Sequence, residues 1–499
     1  MEGLQLLGAG FAAALSLQNL AFALAGCVLG TLIGVLPGLG PAAGTAILIP
    51  LTFKLDAAGA IIMLAAIYYG AMYGGTITSV LINVPGEAAS VVTCIDGYQM
   101  ARQGRAGTAL GISAIGSFVG GVFATLALAI VAPPLARFAL SFGPPEFFCL
   151  MLLGMCLVTG LAGRSLLAAL LMTVMGLLLA LIGIDPVRGA PRFTLDIPEL
   201  YDGIGFIPVV MGLFGVAEIL ITLESPARQI LETKLKGLLP TRAEAIRASG
   251  AIGRGTLVGF FLGLIPGVGA IIPTFMAYVL EKKLSKTPEE FGKGAIEGVA
   301  APETANNAYA NASMIPLLVL GVPSSPTIAV LMGAFIINGL TPGPFLFKEQ
   351  PLLVWTIIAS FFIGNVMLLI LNLPLVGLWA KVLKIRYQYL CVGTLIFCIV
   401  GAYSLKGSAF DVGVMLLFGV IGYVLRKLNM PLAPAVLALI LGPFMEKSLR
   451  TSLEISGGDF TIFVTRPISL TLLIVAVLVV IGSTLRIATV SAMKDAESK

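Results

Sequence analysis

Two short interruptions in apolar sequence, Pro37-Gly38-Leu39-Gly40 and Pro266-Gly267-Val268-Gly269, carry residue types that can hold an anion without a basic side chain. Proline removes a backbone donor and clashes with the preceding turn, and glycine admits the dihedrals of a reversal, so each pattern stops a helix. The N–H groups freed at such a stop, with the positive end of the half-helix that follows, form an anion site. The solute-binding candidates are therefore Pro37, Gly38, Gly40 and Pro41 with Thr45 nearby, and Pro266, Gly267 and Gly269 with Thr274 nearby. The competing reading is a pair of glycine-rich kinks used only for packing. Packing kinks have no need to recur in matched surroundings, and these do.

A second pair of breaks lies at Asn83-Val84-Pro85-Gly86-Glu87 and at Gly321-Val322-Pro323-Ser324-Ser325-Pro326. Carbonyls freed before a proline, with amide, hydroxyl and carboxylate oxygens, can coordinate a small hard cation such as Na⁺. Asn83, Pro85, Gly86, Glu87 and Ser90 are the cation-coupling candidates of the first region, and Glu303, Asn306, Asn307, Pro323 and Ser324 those of the second. Glu87 and Glu303 each have a plainer alternative as acids stabilising the start of their own helix. The chain has no His, which removes the usual proton shuttle and the zinc-protease motifs. Six Cys occur without CxxC spacing, and neither a paired-Asp set nor an Asp-rich diphosphate motif is visible, so no enzyme and no cofactor is expected.

The elements that must position these residues are membrane helices. Of 499 residues, 58% are hydrophobic and 11% charged, whereas a soluble domain carries about 25% charge. Apolar stretches of the roughly 20 residues needed to cross a bilayer recur along the chain. The net charge of +5 is dispersed in loops, which fits membrane topology and excludes nucleic acid as a partner. The fold class expected is an all-α polytopic membrane protein with about 12 segments in the lipid bilayer. Residues 1–16 read either as an interfacial helix or as the start of the first span. Trp355 and Trp379 fit interfacial anchors.

The chain also repeats itself. Gly26, Gly30, Gly34, Pro37, Gly38, Gly40 and Thr45 meet Gly255, Gly259, Gly263, Pro266, Gly267, Gly269 and Thr274 at one offset of 229 residues, and Val84-Pro85 meets Val322-Pro323 at 238. Two homologous halves follow, 1–224 and 250–499, joined by a polar cytoplasmic linker at 225–249, as in many secondary transporters. Glycines at i, i+4 and i+8 leave one helix face bare for a close neighbour. The stretch 255–280 is either one broken span or a re-entrant hairpin. Basic residues on both flanks, among them Arg247, Arg254, Lys282 and Lys283, favour the hairpin, with both ends cytoplasmic. The first half lacks matching basic flanks, so the repeats are expected to be inverted across the membrane.

Several of these stretches resemble a known family. Gly34-Val35-Leu36-Pro37-Gly38-Leu39-Gly40-Pro41, Tyr68-Tyr69-Gly70-Ala71-Met72-Tyr73-Gly74-Gly75, Pro85-Gly86-Glu87-Ala88-Ala89-Ser90 and Asp96-Gly97-Tyr98-Gln99-Met100-Ala101-Arg102 are similar to the large membrane subunit of the tripartite tricarboxylate transporters. Leu264-Ile265-Pro266-Gly267-Val268-Gly269 and Pro302-Glu303 with Asn306-Asn307 continue the likeness. The resemblance implies a permease in a bacterial inner membrane that imports tricarboxylates or related organic carboxylates with Na⁺ or protons. It also implies two partners, a small membrane subunit and a periplasmic solute-binding protein. The chain departs from the family's usual Gly-Ile-Pro-Gly-Ser at Gly321-Val322-Pro323-Ser324-Ser325-Pro326. A passive anion channel or a membrane scaffold subunit is the alternative.

Overall fold

A computed structural model describes residues 2–36, 39–161, 165–185, 188–224, 237–383 and 387–497. Pro37, Gly38, Arg164 and linker residues 225–236 lie outside the described residues. The first part holds α1 (Glu2–Ala14), α2 (Leu17–Val35), α3 (Gly40–Leu48), α4 (Ala57–Ile82), α5 (Val91–Arg102), α6 (Ala106–Ala139), α7 (Pro144–Leu161), α8 (Leu166–Ala180), α9 (Phe206–Val210) and α10 (Ala217–Leu223). A π-helical stretch, Met211–Val216, joins the last two into one rod. Beyond the linker come α11 (Arg242–Gly263), α12 (Ile271–Leu284), α13 (Glu297–Ala312), α14 (Met314–Leu320), α15 (Pro326–Ile337), α16 (Pro344–Glu349) and α17 (Pro351–Asn372). The chain continues through α18 (Val376–Val382), α19 (Tyr387–Lys406), α20 (Ala409–Lys427), α21 (Leu432–Ile455), α22 (Ile462–Thr465) and α23 (Pro467–Glu497). A two-stranded ribbon pairs β1 (Gly183–Ile184) with β2 (Pro191–Arg192). Among the described residues eight helices are long and apolar enough to span a membrane. The protein is an all-α polytopic membrane protein.

The glycine ladders set how helices approach. A methyl group built on Gly26, Gly30 or Gly34 of α2 would fall 2.4, 2.4 and 2.2 Å from the carbonyl oxygens of Met63, Ile67 and Ala71 of α4. Only glycine lets these backbones come so close. Because the partners advance together, α2 and α4 run parallel, and the chain returns through α3 between them. The second region repeats the arrangement. Gly255, Gly259 and Gly263 of α11 would meet the carbonyl oxygens of Ala301, Ala305 and Tyr309 of α13 at 2.4, 2.2 and 3.0 Å. The residues opposite each ladder, Met63 and Ala301 or Ile67 and Ala305, are separated by the same 238 residues as the two second breaks.

Parallel α11 and α13 leave α12 to return between them, and an ion pair fixes the result. Arg254 Nε and Nη2 donate to Glu281 Oε2 and Oε1 at 2.7 and 2.6 Å, a bidentate clasp with Glu281 buried. Arg254 lies well before the Pro266-Gly267 turn and Glu281 equally far beyond it, so the two limbs fold back on each other. The stretch 255–280 is a hairpin, and the broken-span alternative falls. A capping box starts α11: Thr241 Oγ1 accepts from Glu244 N, and Glu244 Oε2 accepts from Thr241 N.

The second breaks match as well. α4 ends on Asn83 at φ 55° and α14 on Gly321 at φ 68°, both left-handed helix ends. Four residues on, Glu87 Oε2 accepts from Ala89 N (2.7 Å) and Ser325 Oγ from Ile328 N (3.3 Å), each opening the next helical turn.

Cross-contacts give the remaining directions. Cys27 reaches Gly364, and Asn372 reaches Thr31, so α2 and α17 are parallel. Gly111 lies against Leu373 while Gly121 lies against Asn365, so α6 opposes α17. Gly116 approaches Thr304, Gly120 approaches Ala308, and Thr125 Oγ1 donates to Asn311 Oδ1 (3.2 Å), so α6 and α13 are parallel. It follows that α4 and α13 run in opposite directions.

One open alternative is decided and one expectation needs correction. Residues 1–16 do not begin the first span: Ser16 caps α2 through Asn19 N, and α1 is a separate helix. Trp355 and Trp379 are not interfacial anchors, because both are buried against protein, with Trp379 Nε1 donating to Leu371 O (2.9 Å).

Candidate functional site

Both hairpin turns and both second breaks converge on one cavity of about 720 Å³. Its wall includes Gly40 and Pro41 from the first turn, Gly267 and Gly269 from the second, Pro85, Gly86 and Glu87 from the third, and Ser324 from the fourth. Gly40 (φ 58°) and Gly269 (φ 66°) occupy equivalent places in the two hairpins, and beside each a side chain would find only open space. Here glycine is required by the backbone and not by crowding.

The other candidates are distributed unevenly. Gly267 lines the cavity, but its N–H donates to Ser324 O at 3.0 Å and is not free for a solute. Pro266 and Pro323 shape the turns from outside the wall. Thr45 and Thr274 are buried away from the cavity, and Thr274 Oγ1 donates along its own helix to Ile271 O (2.7 Å). Asn83 is exposed, serves as the helix end and lies outside the cavity wall.

The two glutamates separate clearly. Glu87 stands in the cavity wall, with Oε1 accepting from Asn306 Nδ2 (2.9 Å) and Oε2 from Ala89 N. Ser90 Oγ donates to Glu87 O (2.8 Å) behind it. The helix-start reading of Glu87 is thus half of its role. Glu303 lies behind the wall in the middle of α13, so the helix-start reading fails for it. Its carboxylate accepts from Thr76 Oγ1 (2.6 Å) and from Thr93 Oγ1, and Ser113 Oγ donates to Thr76. Asn307 donates to Ser117 Oγ (2.7 Å), also away from the cavity. Asn306 Oδ1 and Asn307 Oδ1 are buried without partners.

Sequence reasoning missed Tyr68, Tyr309, Glu218 and Arg426, all in the wall. Tyr68 belongs to a motif quoted above without a role, and a tyrosine hydroxyl inside an apolar span was the available signal. Arg426 ion-pairs with Glu218 toward the linker end of the cavity. Just outside, Lys427 and Tyr423 donate to Glu224 and hold its carboxyl below the usual range. Among the described residues no cluster of His, Cys, Asp and Glu could hold a metal ion.

Interrupted helices meeting at one membrane-embedded cavity, in a bundle of this length, define a multi-pass transport protein. The chain belongs to the tripartite tricarboxylate transporter TctA family, whose model it matches over residues 20–437. A relative from Agrobacterium vitis, described as "Uncharacterized 52.8 kDa protein in TAR-I ttuC' 3'region", is 48% identical over 482 residues, 96% of either chain. A second, "Uncharacterized protein in TAR-II ttuC' 3'region" from the same organism, is 51% identical over 215 residues, 43% of this chain and 89% of its own. No solved structure matches the chain.

Proposed function

We propose that the protein is the solute-conducting permease subunit of a secondary transporter that imports tricarboxylates or related organic carboxylates across a bacterial inner membrane. A small membrane subunit and a periplasmic binding protein assist it, and Na⁺ or protons drive it. The carrying observation is the convergence of four broken segments on one cavity. In this reading the solute sits between the two hairpin turns, and the coupling cation sits by Glu87 and Asn306, with Glu303 as a structural support behind them. The halves 1–224 and 250–499 are inverted repeats that alternate access by relative movement of their hairpins. The opposite directions of α4 and α13 support the inversion.

The face bearing Arg242, Arg247 and Lys282 is cytoplasmic by the positive-inside bias. Cysteine labelling in intact cells is expected to place position 164 inside and position 406 outside; both on one side removes the inversion. Reconstituted with its partners, the protein should show saturable uptake of radiolabelled citrate with counterflow, and Glu87→Ala should lower gradient-driven uptake at least about tenfold, the scale of one lost charged contact. Uptake without saturation or counterflow would indicate a channel. Full gradient-driven uptake by Glu87→Ala would move the coupling site elsewhere.

A further inference from the structure

In the carboxylate-carrier reading the cavity holds an anion, and its wall offers few side-chain donors for one. Its basic side chain, Arg426, is already paired with Glu218. The Gly267 N–H is taken by Ser324 O. Tyr309 Oη donates to the same carbonyl (3.3 Å), and Ser325 Oγ accepts from Ile328 N as a helix cap. Both Glu87 carboxyl oxygens already accept, from Asn306 Nδ2 and Ala89 N. Two hydroxyls in the wall stand apart: Tyr68 Oη and Ser324 Oγ are fully enclosed and neither makes a hydrogen bond of ordinary length within the chain, although Ser325 adjoins the first and Tyr309 the second. Buried polar groups in native proteins are nearly always paired, so an exception at a cavity wall asks for an external partner.

We propose that the Tyr68 and Ser324 hydroxyls are the donor pair for the solute's carboxylate. The assignment rests on the carboxylate-carrier reading and narrows it, moving recognition from the backbone of the hairpin turns to two side chains. Tyr68 comes from α4 and Ser324 from the break before α15, so the pair joins segments from both halves. A solute bound this way draws the two halves together, which is the coupling that alternating access requires.

Two further tyrosines provide an internal control. Tyr69 and Tyr73 are equally buried in α4, and their hydroxyls are equally without partners, but neither lines the cavity. The test uses the full transporter in proteoliposomes with radiolabelled citrate and succinate as probes, together with the thermal midpoint of each purified variant. Tyr68→Phe and Ser324→Ala are each expected to raise KM about tenfold or more. Tyr69→Phe and Tyr73→Phe should leave KM within about twofold of the unmodified chain, since a hydroxyl that meets no solute contributes nothing to its affinity. Tyr68→Phe should not lower the thermal midpoint, because it deletes a hydroxyl that makes no hydrogen bond of ordinary length within the chain. An unchanged KM in both Tyr68→Phe and Ser324→Ala overturns the donor pair while leaving the carrier reading intact. A lowered midpoint in Tyr68→Phe shows the hydroxyl to be a structural bond and has the same force. An unmodified protein that carries neither probe overturns the carboxylate reading, and the donor pair with it.

Discussion

Asp96→Ala should abolish correct folding or lower the thermal midpoint steeply, although Asp96 lies outside the cavity wall. Its carboxylate is fully buried, and Oδ1 accepts three backbone donors: Gly292 N at 2.8 Å, Gly294 N at 2.8 Å and Ala295 N at 2.9 Å. Tyr278 Oη donates to Oδ2 at 2.9 Å. These groups come from the returning limb of the second hairpin and from the loop that leads into α13, so one side chain from α5 pins the base of the opposite hairpin. The loop can wrap around an oxygen only because Gly292 and Gly294 sit at φ 86° and φ 105°. Deleting the acceptor strands two buried donors, Ala295 N and Tyr278 Oη, at about 1–3 kcal/mol each, and two that water can partly reach, so a loss of about 3 kcal/mol is expected. That corresponds to a fall on the order of 5 °C or more in the midpoint. Asp96→Asn keeps an oxygen for the three N–H groups, and its amide can donate to Tyr278 Oη instead; it should recover most of the stability. A thermal unfolding series on the purified chain checks both outcomes. Near-normal stability in Asp96→Ala would mean that the clasp is not what holds the hairpin base.

Much of this architecture was legible from single residues because glycine and proline act through the backbone. Gly40 and Gly269 needed left-handed dihedrals, Pro37 and Pro266 removed donors, and the ladders required close neighbours; none of that depends on which helix lies opposite. The hairpin at 255–280 was favoured from charge alone, and the Arg254–Glu281 clasp then decided it. Side-chain roles were less legible. Glu87 and Glu303 look alike in sequence, each near a proline and an apolar run. Only the fold places one in a cavity wall and the other among threonine hydroxyls. Thr45 and Thr274 occupy matched positions beyond the turns, but a helix presents successive residues to different sides, and both face inward to packing. Arg426 was invisible as a site residue, because its place in the wall depends on α20 crossing near α10, a contact between segments about two hundred residues apart. The tryptophans failed for the same reason. Interfacial preference is a tendency of isolated spans, and a bundle this large has interior enough to enclose them.

The ladder glycines should be the least replaceable residues in the chain, ahead of those in the cavity. A methyl group on Gly30 would lie 2.4 Å from the Ile67 carbonyl oxygen and 2.8 Å from Ile67 Cα; on Gly259 it would lie 2.2 Å from the Ala305 carbonyl oxygen. The opposing atoms are backbone, so no rotamer change relieves the clash, and the helices must separate along their whole contact. Overpacking a core with flexible neighbours costs about 1–3 kcal/mol, and a backbone obstacle exceeds the upper end of that range. Separation of α2 from α4, or of α11 from α13, also displaces the hairpin turn that follows, so uptake and stability should fall together. Gly253 supplies the contrast on the same helix as Gly259, since it is exposed and a methyl group there would meet nothing within 4 Å. Gly253→Ala should be neutral or stabilising by up to about 1 kcal/mol through helix propensity. Gly30→Ala and Gly259→Ala should instead lose most of the monodisperse protein on gel filtration after detergent extraction. If all three alanine variants behave alike, the helices tolerate separation, and the ladders are not what fixes the hairpins against their neighbours.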